Sequence, residues 1–510
     1  MANYKPDESY QNKFIPIDFS QQVVPGTFEY ALAHIIDNHL DLSNFDQWYN
    51  NDKGGAAAYP PSVMLKIILF AYSRGYISSR RIANACETNI VFMSLSGDIQ
   101  PHYTSIASFV SKMKDQIEPL FTEVLLICDQ ENLIGHNMFS IDGCKISSNA
   151  SKEWSGTFEE LGRKEAKLRR ASQRILKRHQ EQDSLKEDEI HHDLKQKEKL
   201  DKSANKLKEF LATNKEKLGS RGTPVKSNIT DPDSAKMTTS KGILQGFNGI
   251  AISDSDNQII CQANVCGSVG EQQTLRPAVE QLNETLKKIG IESPFEGAKF
   301  SADSGFHSEK NLEYMATTEL DCYIADTGYR SRNPLFKDSV TYQKEKVKKS
   351  KKRSKYKVKI FSPDDFTFNL EKMTCQCPAN KEMRHCATIN NENGKVSYRF
   401  IHELIKCKSC SLLNQCMKRI PKITGRQVSI TRKLAGGDDS FSDKMKVKID
   451  SSAGRREYSK RLGTIEPVFG NMTVNKGMNR FTLRGKEKVN TQWQMYCLVH
   501  NIEKLRHSIQ

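Results

Sequence analysis

The apolar positions of this chain change their period several times, and each change predicts an element. Through residues 1–135 the spacing is helical. Pro60, Pro61 and Ser62 form a helix start, and the apolar run Val63–Tyr72, interrupted only by Lys66, suits a buried helix. Gly75 ends it, and Ser78 and Ser79 precede a short amphipathic piece led by Arg80 and Arg81. A second start lies near Thr104. After it Ile106, Phe109, Val110, Met113, Ile117, Leu120, Phe121 and Val124 keep the spacing of one helix face. Short helices joined by tight turns, with arginines at a helix start, predict a DNA reader of helix-turn-helix type; an ordinary helical bundle produces the same pattern.

At Asn137 the pattern becomes that of a strand. Phe139 and Ile141 are apolar around a lone Asp142. From Glu159 to Leu218 the chain is highly charged, with Leu168, Ile175, Leu176, Leu194, Leu207, Phe210 and Leu211 spaced along it. This predicts a helical hairpin inserted over 158–220, turning near Asp183 and Ser184. A β-hairpin follows from Gly242, with Asp254–Asn257 as its turn. Next come a helix near Glu271–Ile289, a strand at Gly297–Ala302 closed by Asp303, a helix near Ser308–Thr317 and a strand at Cys322–Ala325. Helices close the chain from about Arg455. The predicted organisation is a helical N-terminal domain (1–135) and an α/β domain (136–510) with inserts at 158–220 and 330–435.

Composition narrows the partner. Over 510 residues, Lys plus Arg (77) exceed Asp plus Glu (61) by 16. That surplus favours a polyanion, nucleic acid ahead of an anionic membrane. Ten basic residues between Lys344 and Lys359 read as a loop touching phosphates or as a solvated charge run. No segment approaches the ~20 apolar residues of a membrane span. The N-terminus has no signal-peptide pattern, so the expected location is the cytoplasm, where thiols stay reduced. Six of the 13 cysteines fall between Cys375 and Cys416, and there clustering favours a metal over disulfides.

Three acidic residues stand out by context: Asp142 inside an apolar strand, Asp303 at the end of another, and Glu466 in a helix. A carboxylate within a buried strand is costly unless paired or metal-bound. Three together repel one another, and Mg2+ or Mn2+ relieves that repulsion. Two such ions ~4 Å apart activate the attacking oxygen and stabilise the leaving one in phosphodiester chemistry. Plainer readings stand beside this: a turn cap at Asp142–Gly143, a loop start at Asp303–Ser304, and a salt bridge from Glu466 to Arg461 or Arg484. Asp326 is the rival carboxylate. Asp231 and Asp233 suit loop ordering, and His307 and His500 read as structural.

The order strand-Asp, strand-Asp, helix-Glu resembles a ribonuclease-H-like fold with a DDE triad. The segments SIDGCKISSNAS, TDPDSAKM, SADSGFHSEKNL and IEPVFGNM resemble bacterial insertion-sequence DDE transposases. So do PPSVMLKIILFAYSRGYISSRRIANAC near the start and GMNRFTLRGKEKVNTQWQMYCLVHNIEKL near the end. The resemblance implies that Asp142, Asp303 and Glu466 are catalytic and bind Mg2+ or Mn2+. Tyr458 and Arg461 match a Tyr and an Arg that precede the Glu and face the DNA backbone. The Lys expected seven positions after the Glu is Thr473 here, with Lys476 the nearest substitute. Arg80, Arg81, Arg480 and Arg484 complete the expected DNA contacts.

Cys407-x2-Cys410 is a knuckle-type pair, and with Cys377-Pro before it and Cys416 after it the set suits a four-thiolate zinc site. Relatives with this insert carry a similar arrangement. Cys375, Cys386, His385 and His402 compete as ligands, and an iron-sulfur cluster is the alternative to zinc. The activity implied is hydrolysis at the ends of a mobile element to expose a 3′-hydroxyl, then attack of that hydroxyl on target DNA. Its partners are double-stranded terminal inverted repeats and target DNA, with a homodimer in the synaptic complex and no membrane. A nuclease that cuts without joining and a non-catalytic DNA-binding derivative are the alternatives.

Overall fold

The computed structural model describes residues 16–51, 54–181, 187–219, 222–239, 242–267, 270–337, 360–391, 395–417, 423–433 and 440–509. It is a mixed α/β structure with two compact units. The first comprises Met1–His307, Tyr314–Ile324 and Arg456–Gln510; the second comprises Ser308–Glu313 and Ala325–Arg455. The lysine-rich stretch 344–359 and the hairpin turn at Asp183 and Ser184 lie outside the described residues.

The first unit opens with six helices: α1 (Phe28–Asn38), α2 (Pro61–Ser73), α3 (Ser79–Thr88), α4 (Ile90–Ser96), α5 (Tyr103–Lys112) and α6 (Ile117–Gln130). The expected starts hold, with Pro61 in the first turn of α2 and Gly75 beyond its end at φ +72°.

The sheet of this unit contains β1 (Met138–Ser147), β2 (Ala235–Thr239), β3 (Gly242–Asp254), β4 (Ile260–Cys266), β5 (Lys299–Ala302) and β6 (Asp321–Ile324). β3 is long enough to pair with β2 at its start and β4 further on, both antiparallel. Its other edge pairs antiparallel with β1, while β1–β5 and β5–β6 are parallel. The parallel part is reached through α9 (Leu275–Lys288), whose apolar stripe Leu275, Ala278, Val279, Leu282 and Leu286 is buried.

The charged insert forms two long helices, α7 (Phe158–Glu181) and α8 (Glu187–Thr213). Its apolar residues gather near the sheet end, where Leu161, Leu207, Phe210 and Ile229 are buried together. Farther out the helices are joined by polar pairs, Ser172 Oγ to Asp201 at 2.6 Å and Arg178 to Asp193.

After α10 (Ser452–Thr464) and α11 (Glu466–Gly470), the chain ends in α12 (Lys486–Leu505). α12 is buried nearly all round, and Tyr496 stacks on Tyr72 of α2 with ring centroids 4.6 Å apart. Its amides serve the edge strand β4. Asn490 Oδ1 accepts from Val265 N, Gln494 Nε2 donates to Ala263 O, and Asn501 bonds both backbone groups of Ile260. Backbone groups that could pair with a foreign strand are thereby occupied. Asp231 and Asp233, expected to order a loop, accept from Gly485 N (3.2 Å) and Lys486 N (2.9 Å) and so cap α12 from a distance in sequence.

His500 is structural, as the sequence suggests. It lies in α12 with Nε2 3.0 Å from Gln258 O and Nδ1 3.1 Å from Asn471 Nδ2. Burial pushes its pKa down to about 4, against the hydrogen bond to Gln258. Between about pH 6.5 and 4 the unfolded chain therefore binds a proton here that the folded chain does not. Stability from this group is complete above pH 6.5 and is lost as pH falls toward 4. His500→Gln keeps a donor and an acceptor without the titration. The melting-temperature difference between wild type and H500Q is expected to shrink on acidification through that window; a constant difference would contradict the assignment.

The second unit contains a sheet that the sequence reading missed. β7 (Thr367–Asn369), β8 (Thr374–Gln376), β9 (Glu382–Asn391), β10 (Lys395–Ile401) and β11 (Gln427–Lys433) form an antiparallel sheet in the order β11-β10-β9-β8-β7. Its core is small: Phe366, Cys375, Met383, Phe400 and Val428. Cys375 is thus a core residue.

Candidate active site

The register explains how two of the expected carboxylates meet. β1 and β5 run parallel with Ile141 opposite Ala302. The next residues are Asp142 and Asp303, so they stand at neighbouring positions on adjacent strands about 4.8 Å apart. Glu466 arrives from the far end of the chain as the first residue of α11, flanked by the fully buried Ile465 and Val468. α10 is tied to the sheet at its middle and at its C-terminal end. Glu457 pairs with Lys299 of β5 at 3.1 Å, while Thr464 O accepts from Ser253 Oγ at 3.4 Å and Gly463 O from Gln258 at 2.9 Å.

Between the three carboxylates lies Arg461. Its guanidinium is 3.0 Å from Asp142 Oδ2, 3.5 Å from Glu466 Oε1 and 3.9 Å from Asp303 Oδ1. The Arg461 side chain is 9% exposed, whereas Glu466 and Asp303 are 52% and 47% exposed. Burial pushes the Asp142 carboxyl above its ordinary value; the Gly143 N–H (2.7 Å) and Arg461 pull it back, and Asp303 pushes it further up. Two of the plainer contacts expected from sequence, Asp142–Gly143 and Glu466–Arg461, are therefore present within the same cluster.

The other expected DNA contacts divide. Arg480 and Arg484 are exposed and anchored on Asn149, just beyond β1: Arg480 on its Oδ1 and Arg484 on its backbone O, each at 2.9 Å. Arg80 and Arg81 are exposed on α3 and lie over the rings of Tyr103 (4.8 Å) and Tyr76 (3.8 Å). Tyr458 lies one turn before Arg461 and adds to the field that holds its charge. Lys476 does not join them. It is 2% exposed with Nζ 2.5 Å from Glu503. Burial alone would raise Glu503, but hydrogen bonds from Lys476 and Asn471 hold it below its ordinary value. A buried lysine tied down in this way cannot reach a phosphate without giving up its ion pair with the half-buried Glu503.

In the second unit, Asp326 is bound by Arg332 (2.5 and 3.0 Å), which also holds Asp450. Cys377, Cys407, Cys410 and Cys416 line one cavity of about 20 Å3 together with His402 and Arg426. Burial raises the Cys416 thiol, and the other three sulfurs add to the rise. Cys386 is exposed and is not part of the lining. His402 Nδ1 accepts from Glu403 N at 2.8 Å, so the neutral ring carries its proton on Nε2, which has no partner among the described residues. A protonated Nε2 is a donor toward thiolates, not a ligand. Four thiols around one cavity match the donor preference of zinc, and three carboxylates match that of Mg2+. Among the described residues, no three His, Cys, Asp or Glu side chains are drawn together closely enough to hold an ion.

Residues 376–506 match the family model described as a transposase DDE domain. Residues 17–112 match the one described as a transposase domain (DUF772). Both belong to transposases. Together they indicate an insertion-sequence DDE transposase, a class of enzyme that cuts and joins nucleic acid and so has DNA as its partner. The DDE match takes in Arg461, Glu466 and the four cavity cysteines; Asp142 and Asp303 lie before it. No curated protein and no solved structure matches the chain. Among the described residues, no helix is long and apolar enough to cross a membrane.

Proposed function

We propose that the chain cuts the ends of a mobile element and joins them to target DNA in a Mg2+- or Mn2+-dependent reaction, with Asp142, Asp303 and Glu466 as the catalytic carboxylates. The observation that carries this reading is the convergence of all three on Arg461. The strand arrangement, with β1 to β4 joined by antiparallel pairings, β5 and β6 added parallel, and β1 between β3 and β5, supports a ribonuclease-H-like core. Divalent ions bound by these carboxylates supply activation of the attacking oxygen and charge relief for the leaving one. The chain's own residues bind and orient. Arg480 and Arg484 hold backbone phosphates beyond the end of β1, and Arg80 and Arg81 of the N-terminal region (1–135) contact the duplex. Hydrolysis and joining are both in-line displacements at phosphorus, so one site serves both.

The test is to incubate a labelled duplex carrying the element's ends with the protein, Mg2+ and a target plasmid. Nicked ends and labelled joined products are expected. Nicks without joined products would favour the nuclease reading, and no cutting in Mg2+ or Mn2+ would favour the binding-only one.

For the second unit the reading is a structural zinc site on Cys377, Cys407, Cys410 and Cys416. The full-length protein is expected to carry about one zinc per chain by elemental analysis. Cys407→Ser with Cys410→Ser should remove it and lower the melting temperature; retention of zinc by that double variant would reject the ligand set.

A further inference from the structure

Arg461 stands where positive charge must also come from divalent ions if the triad is catalytic. Its guanidinium faces Asp142 Oδ2, Glu466 Oε1 and Asp303 Oδ1, all within 3.9 Å. Three carboxylates around one point repel one another, with solvent screening part of this at Asp303 and Glu466, and the buried guanidinium is a cation that relieves the repulsion. It cannot yield by losing a proton, because arginine stays charged in proteins. To free the oxygens it must move. The helix carrying it cannot easily follow, because Glu457 is held by Lys299 of β5 and the helix end is bonded at Gly463 and Thr464. Movement is therefore confined to the side chain.

We propose that Arg461 is a built-in substitute for the catalytic ions: it holds the three carboxylates in the free protein, competes with divalent metal for their oxygens, and on displacement becomes available to a DNA phosphate. The proposal rests on the triad reading above. It makes Arg461 a positioning residue that couples metal loading to DNA contact. It also gives an unusual sign. A residue that merely supports a metal site weakens metal binding when removed, whereas a competitor strengthens it.

The experiment uses the full-length protein without DNA. Mn2+ binding is followed by loss of the free-ion paramagnetic resonance signal, and melting temperature is measured in chelator and in Mn2+. Wild type is compared with Arg461→Gln, Arg461→Lys and Asp303→Asn. R461Q is expected to bind Mn2+ about tenfold more tightly, the factor that roughly 1.4 kcal/mol of lost competition represents. It should also melt lower than wild type in chelator and gain more from Mn2+. R461K, a point charge without the planar fork, should fall between the two. If R461Q and R461K bind Mn2+ no more tightly than wild type while D303N abolishes binding, the competition is refuted and the carboxylate site survives. If D303N binds Mn2+ as wild type does, the triad reading itself fails. Should R461Q not fold, R461K alone decides the matter by the same comparison.

Discussion

Asp142→Asn, Asp303→Asn and Glu466→Gln are each expected to lower end cleavage by about a thousandfold, the scale on which loss of one preorganised electrostatic group is felt. The amides keep shape and some hydrogen bonding but remove the charge. DNA binding should survive, because the exposed arginines at 80, 81, 480 and 484 are untouched. The three losses should not add. Residues that act as one unit fail together, so a double variant is expected to be little worse than a single one. The measurement is cleavage of an end-bearing duplex in Mg2+, alongside a binding assay at fixed salt. Near-normal cutting by any one variant would remove that residue from the set. Equal loss of binding and cutting would point instead to a structural role.

The largest expected effect on stability lies at Trp493. The ring is fully buried in α12, its Nε1 donates to Ile250 O at 2.9 Å, and it lies flat against Gly249, where an added Cβ would stand 3.0 Å from the ring. Trp493→Ala removes a large aromatic group from the junction of helix and sheet, which costs about 3–5 kcal/mol. It also removes the hydrogen bond from Nε1 to Ile250 O. A loss of that size is comparable with the whole stability of many domains. The variant should be recovered mainly as insoluble protein, or should unfold at much lower urea than wild type. Trp493→Phe keeps most of the volume and should fall between the two. A Trp493→Ala protein as stable as wild type would mean that α12 does not pack as described.

Much of the first unit was legible because its signals are local. Helix starts at Pro61 and Ser79, the strand around Ile141, the β-hairpin after Gly242 and the amphipathic α9 all follow from spacing and punctuation. Asp142 and Asp303 drew attention for a similar local reason, since a carboxylate at the margin of an apolar strand is conspicuous. What could not be read was where long-range partners would fall. Arg461 sits among the three carboxylates, and Lys476, the nearest substitute for the expected lysine, is buried on Glu503. Glu466, five positions from Arg461, was within reach of a local reading, but Asp142 lies 319 positions from Arg461 and Glu503 lies 27 from Lys476, beyond any short window. The β-sheet of the second unit went unseen for another reason. β7 and β8 have only three residues each, and the strands carry many charged side chains over a small core, so alternation is faint. The caps supplied by Asp231 and Asp233 to α12 left a better clue, since a paired Asp-Pro-Asp turn commonly finds orphan N–H groups to accept from.

The site is assembled from segments far apart in the coding order. Asp142 and Asp303 are made more than 150 residues before Arg461, Glu466 and the helix that seals β4. A ribosome that stalls before that point releases two carboxylates, no third, and an unsealed strand edge. On the proposed reading such a fragment would lack a complete site, and its open strand edge would favour aggregation. Assembly of the site would then wait for the segment from Arg461 onward, a safeguard that needs no additional regulator.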